Sequence, residues 1–203
     1  MAKLKAPLLS LGASGAIGKA IVFFNWKGLN VAREYIAPSN PKTTAQNTQR
    51  GYLTAAVTAI HAAQVVTPGP IAAIDITAYA LWGSIFSTPR TWFNQVCKNW
   101  LDQKRATKIP VIYRGGTITP GNDLITFKLL NTEESSAITN GEVRWGTSKT
   151  ALVNAQAVTA AEIEAGIAIT GMPDKTKCYL QYRALLPVGF IGAYSGIYYG
   201  VTT

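Results

Sequence analysis

Acidic side chains are scarce in this chain, with ten Asp and Glu against nineteen Lys and Arg in 203 residues and a formal net charge of +9. An excess of that sign is expected to face something acidic or to be neutralised by a partner. Charged residues are few altogether, 14% against 48% hydrophobic, which excludes a disordered tail and suits a chain that buries surface against neighbours. Histidine occurs once, at His61, among alanines that offer neither an orienting carboxylate nor a nucleophile, so a histidine-based general base is not expected. Cysteine occurs twice, as Cys97 and Cys178. A disulfide between them stays open, although isolated cysteines in apolar surroundings are more often reduced and buried. No His or Cys spacing suits a metal, and no metal or cofactor is expected. Long apolar runs are missing too. The stretch Ile71 to Phe86 is broken by Asp75 and falls short of the ~20 residues that cross a bilayer. The start, MAKLKAPLLSLGASGAIGKA, sets basic residues before an apolar run in the manner of a signal peptide, but it is expected to be retained. Membrane attachment is not expected.

What charge there is lies unevenly. Residues 1–106 hold eleven Lys or Arg against Glu34, Asp75 and Asp102, net +8, whereas residues 107–203 hold eight against seven, net +1. Periodicity changes at the same place. In the first half, Ile21 to Trp26 and Leu29 to Ile36 flank Lys27-Gly28 and predict a β-hairpin. Pro38 and Pro41 then hold an extended elbow. A helix from Thr43 to Val66 follows, with Leu53, Val57, Ile60 and Ala63 or Gln64 on its apolar side, stopped by Thr67-Pro68-Gly69-Pro70. A second helix is predicted from Asp75 or Thr77 to Ser84, and a third from Thr88-Pro89 to Lys104-Arg105.

After Lys108 the runs Ile109 to Tyr113, Leu124 to Leu130, Gly141 to Trp145, Ile167 to Ile169, Cys178 to Leu185 and Ile197 to Val201 are β-type, punctuated by Gly- and Pro-rich turns. Residues 160–164 read as a single helical turn. The expected architecture is an α+β first half, 1–106, a hairpin plus about three helices, followed by an all-β sandwich, 107–203.

Two stretches carry resemblances. The spacing of Gly15, Gly18-Lys19, Trp26-Lys27-Gly28, Arg33-Glu34-Tyr35, Pro38, Asn40-Pro41, Thr43, Gln46 and Gln49-Arg50 resembles a signature of small virion structural proteins of tailed bacteriophages and their prophage relatives. That likeness implies a non-enzymatic structural role in a virion assembled in the bacterial cytoplasm, with the major capsid protein or another particle component as partner and self-association within the assembly. It supplies no catalytic site. Residues 171–200, GMPDKTKCYLQYRALLPVGFIGAYSGIYYG, resemble the end of a fibronectin type III domain through Met172, Thr176, Tyr182, Arg183-Ala184 and Tyr194-Ser195-Gly196. Cys178 stands where that family usually places its corner tyrosine, so the corner hydrogen bond is expected to be missing or to have moved to Tyr179. The likeness implies a fold, a projecting immunoglobulin-like decoration module, and not an activity.

The residues expected to dock are Lys19, Phe23, Phe24, Trp26, Lys27, Arg33, Tyr35, Asn40 and Arg50, in which cations interleave with aromatics. Such a pattern fits an acidic capsid surface; the alternative is nucleic acid, whose phosphates the same cations would track. Gly12, Gly15 and Gly18 give the glycine spacing of a dinucleotide loop, which makes a small NAD(P)-dependent oxidoreductase a third reading. Against it, no further βα units follow, and no Tyr has Lys four residues on. Ser195 is outside any nucleophile elbow. Glu133-Glu134 and Glu162 with Glu164 read as solvated loop charges rather than a glycosidase pair, which must converge across a cleft.

Overall fold

The computed structural model describes residues 2–4, 14–37, 39–40, 42–131 and 138–203. Pro38, Pro41, Lys5, Gly12, Glu133 and Glu134 lie outside them, and with them the elbow and one of the two carboxylate pairs. The described chain is a mixed α+β protein of two compact units, 1–44 and 45–203.

The first unit is a four-stranded antiparallel sheet built from β1 (Ala2–Leu4), β2 (Gly15–Ile17), β3 (Ile21–Trp26) and β4 (Leu29–Glu34) in the order β1-β4-β3-β2. The predicted hairpin is its centre. Lys27 and Gly28 both take positive φ, 49° and 77°, the left-handed pair that matches the twist of a two-residue turn. Asn25 Oδ1 accepts the Gly28 N–H at 3.0 Å and closes the turn. Gly15 and Gly18 sit in β2 and in the turn after it. A strand follows them rather than a helix, so the dinucleotide spacing lacks the helix N-terminus that would meet a pyrophosphate.

The second unit begins with α1 (Thr44–Val65), α2 (Ala73–Gly83) and α3 (Trp92–Arg105). On α1 the buried residues are Ala56, Ile60 and Ala63, whereas Leu53, expected on that face, is half exposed. The third helix starts later than expected, because Thr91 and not Thr88 caps it by accepting the Asn94 N–H. Its last turn carries Lys104 and Arg105, the sign that suits a helix C-terminus.

Strands β5 (Tyr113–Gly121), β6 (Leu124–Asn131) and β9 (Ile167–Thr170) form one antiparallel sheet in the order β5-β6-β9. Strands β7 (Asn140–Gly146), β8 (Asn154–Thr159), β10 (Lys177–Leu186) and β11 (Tyr198–Val201) form another, in the order β11-β10-β7-β8. Phe127 and Ile169 from the first and Val143, Leu180 and Tyr182 from the second share one core. The short helix α4 (Ala160–Ala165) precedes β9, and a capping box starts it. In that box the Glu162 carboxylate accepts from the Thr159 N–H at 2.7 Å. Glu162 is therefore a helix cap and not a loop charge, and the Thr159 hydrogen bonds hold its carboxyl below the usual range.

Three expectations change here. The run from Ile109 to Val111 is not a strand; its Ile109 N–H instead donates to the Gly189 carbonyl at 2.9 Å. Gly115-Gly116 does not end β5, which runs on through a register shift between Arg114 and Thr117, with Gly115 at φ 60° forming the bulge. Most importantly, the helices and sheets are not separated near residue 107. Ala78 of α2 belongs to the sheet core, while Ile112 packs in the helical core of Ile60, Tyr79 and Trp100. The division of the chain falls at 44/45, where the expected halves were 1–106 and 107–203.

Candidate docking surface

Side chains alternate across a sheet, so the β3–β4 register assigns each residue of the hairpin to a face. Trp26 pairs with Leu29, Phe24 with Val31 and Val22 with Arg33, which places these six on one face of the first unit. Along it, the Phe24 and Trp26 rings meet edge to face at 6.5 Å, and the Arg33 guanidinium lies 5.3 Å from the Phe24 centroid. Only Val31 is buried there, at 4% exposure; Trp26 and Leu29 are 54% and 46% exposed. The result is an aromatic stripe edged by a cation. Residues 1–44 contain six Lys or Arg and the single acid Glu34, net +5.

The other expected docking residues scatter. Phe23 lies on the opposite face, in register with Ala32. Lys19 and Lys27 occupy the two turns that flank β3, both exposed. Tyr35 follows β4 with its N–H donating to the Ala20 carbonyl at 2.8 Å. Asn40 is exposed between the sheet and α1, and Arg50 is exposed on α1, in the second unit. Of the nine, Phe24, Trp26 and Arg33 are brought together on one face.

Sequence reasoning missed the most organised polar cluster, which lies in the second unit. Asp75 is fully buried, and four donors converge on its carboxylate. The Ala72 N–H and Gly115 N–H reach Oδ2 at 2.9 and 3.0 Å, and the Gly116 N–H and Tyr198 hydroxyl reach Oδ1 at 2.9 and 2.6 Å. Burial, and then the Asp75 charge, push the Tyr198 hydroxyl well above the usual tyrosine range, which keeps it a donor. Beside it the Tyr79 hydroxyl donates to the Tyr113 carbonyl at 3.0 Å and accepts the Tyr113 N–H at 3.1 Å. Gly116 is glycine for lack of room, since a Cβ would stand 2.3 Å from Tyr198 Cε1. Every Asp75 oxygen is engaged by a neighbour that also fixes backbone, so the cluster joins α2 to β5 and β11 rather than presenting a reactive group.

His61 is exposed on α1, with Nδ1 3.0 Å from Gln64 Oε1 and its ring 6.1 Å from that of Phe93. Cys97 and Cys178 are both free and buried, and burial raises both thiols, which makes them inert. Ser195 is buried, accepting the Tyr182 N–H and donating to the Gly196 carbonyl. Tyr179 stacks near Tyr199 at 6.4 Å, with the Lys177 ammonium 4.0 Å from the Tyr199 ring. Among the described residues no three His, Cys, Asp or Glu side chains gather as a metal site would need, and no helix is long and apolar enough to cross a membrane. Comparison with known proteins gives no matching protein family, no matching curated protein and no matching solved structure.

Proposed function

We propose that this chain is a non-enzymatic structural protein of a tailed-bacteriophage virion that docks on an acidic particle surface through the sheet of its first unit. The exposed Trp26–Phe24–Arg33 stripe carries this reading. A sheet of four short strands with Val31 as its buried apolar residue gains little from its own packing, and a partner that covers Trp26 and Leu29 supplies what is missing. The partner's sign follows from the net +5 of residues 1–44. The virion setting rests on the signature spanning Gly15 to Arg50.

The second unit is read as a fibronectin type III-like sandwich preceded by three helices. Three strands on one side and four on the other, in the orders β5-β6-β9 and β11-β10-β7-β8, support it. So do a fully buried Tyr182 on β10 and a Ser195 tied to the same strand. In a virion such a module is a projecting decoration.

Nucleic acid remains the second reading, because aromatics beside a guanidinium on one sheet face also make a base-stacking platform. A salt series with the full chain separates the two. Docking on DNA-free particles is expected to weaken with salt yet persist through apolar contact. If six or more phosphates are engaged, affinity for duplex DNA would instead fall roughly a thousandfold or more from low to physiological salt. Steep DNA binding with no affinity for particles would overturn docking.

A further inference from the structure

A recess of about 320 Å³ opens within the second unit, on the side of the β11-β10-β7-β8 sheet turned away from its core. Arg144 on β7 and Gln181 on β10 lie directly opposite each other and form its floor. The loop after β7 forms its wall with Lys149, Thr150 and Val153. That loop is folded in advance. The Ala151 N–H donates to the Ser148 carbonyl at 3.2 Å, and the Ala151 carbonyl packs so close to Gly146 that a Cβ there would stand 2.3 Å away. A larger residue than glycine at 146 would push the wall outward.

The charges of the recess are incompletely balanced. Arg144 Nε is 3.7 Å from Glu142 Oε1, but the same oxygen forms a closer ion pair, 2.8 Å, with Arg183 Nε. The Lys149 ammonium donates to a neutral oxygen, Ser84 Oγ, at 3.0 Å. Among the described residues, no acidic one lines the recess. Its remaining wall is apolar, with Ile85, Leu152 and Ile197, and Val153 at the rim is 77% exposed. Two cations within an apolar frame, in a volume at the low end of ligand pockets, define a small organic anion rather than a bare one. Arginine's planar fork matches a carboxylate.

We infer that the second unit binds a carboxylate carried on a compact body with one apolar side, the size of a single acidic sugar or acidic amino-acid residue. The carboxylate lies between Arg144 and Lys149, and the body covers Leu152 and Val153. The recess lies wholly inside the second unit, so this inference stands or falls separately from docking by the first.

The test is calorimetric or NMR titration of the full chain with D-glucuronate and N-acetyl-L-glutamate, with D-glucose as the neutral counterpart and inorganic phosphate as the bare anion. At least one carboxylate is expected to bind with a dissociation constant of about 1 mM, and the tighter of the two names the source. Glucose and phosphate are each expected to bind roughly tenfold or more weakly, lacking respectively the charge and the apolar body. Arg144→Gln and Lys149→Gln should each weaken the carboxylate roughly tenfold, and Lys128→Gln, on the other sheet, should change nothing. Val153→Glu, at an exposed position that leaves folding alone, should weaken it as well by setting an acid at the rim. The inference is overturned if neither carboxylate binds, if phosphate binds as tightly, or if the Arg144, Lys149 and Val153 variants all bind like the parent.

Discussion

The two units solve the problem of apolar surface in opposite ways. In residues 45–203 aromatic and branched side chains from helices and sheets meet in two continuous cores, and a buried polar cluster at Asp75 ties them together. In residues 1–44 the large side chains of the sheet, Ile17, Ile21, Trp26 and Leu29, remain substantially exposed, and Val31 alone among the described ones is buried. One unit is finished as a fold. The other leaves its apolar area exposed, and the contrast separates side chains buried to hold the fold together from side chains that contribute little to it.

The sharpest way to break the contrast is at Asp75. Asp75→Ala leaves the Gly115 and Gly116 N–H groups and the Tyr198 hydroxyl buried without an acceptor, at an expected cost of about 3–5 kcal/mol and a fall of roughly 10 °C in the melting transition of the second unit. Gly116→Ala should do comparable damage by collision with Tyr198. Differential scanning calorimetry reads both, and an unchanged transition would mean the cluster does not join the two cores.

Trp26→Ala should move the opposite quantity. With its ring half exposed on the sheet, its loss should change melting by less than about 0.5 kcal/mol while weakening particle binding roughly tenfold or more. A binding assay beside a thermal melt checks it, and a large loss of stability with intact binding would make Trp26 a packing residue.

The smallest effect concerns Tyr182, whose hydroxyl is buried with no hydrogen-bond partner among the described residues and is pushed up to about 12, first by burial and then by the charge of Glu164. Tyr182→Phe removes a polar atom that gains nothing from being inside, so stability should stay within about 0.5 kcal/mol of the parent or rise. A loss above about 1 kcal/mol would reveal a bond at that oxygen.

Local chemistry was legible in the sequence, and chemistry that depends on distant residues was not. Lys27-Gly28 between two β-type runs announces the hairpin, and its register then dictates that Phe24, Trp26 and Arg33 share a face. The long helix α1 follows from its own periodicity, and the turn expected at residues 160–164 from its composition, with Thr159 and Glu162 capping the helix that forms there. Strand β8, Asn154 to Thr159, gives little signal; it is an edge strand with Val158 as its one buried side chain, and Asn-Ala-Gln-Ala alternates only alanine with polar residues, without a β-branched or aromatic side chain. Gly115-Gly116 looked like punctuation because glycine usually is, whereas here two bare N–H groups are needed to reach a carboxylate 40 and 41 residues upstream. Asp75 itself read as an interruption of an apolar run. The division between the units was misplaced for a related reason. The change of periodicity near residue 107 marks where helices give way to strands, but both sides of that point pack into common cores.

The reach of that carboxylate also sets a timetable for the protein's birth on the ribosome. Asp75 and its hydroxyl donor Tyr198 are 123 residues apart, so α2 emerges and waits through the synthesis of β5 to β10, six of the seven strands of the second unit, before its last partner exists. Until β11 arrives, Asp75 has its three backbone donors but lacks the Tyr198 hydroxyl, so one site on Oδ1 is left to water and burying α2 in an incomplete core is disfavoured. The second unit is therefore expected to close only after β11 is made, and a ribosome stalled before Tyr198 should display a protease-sensitive chain.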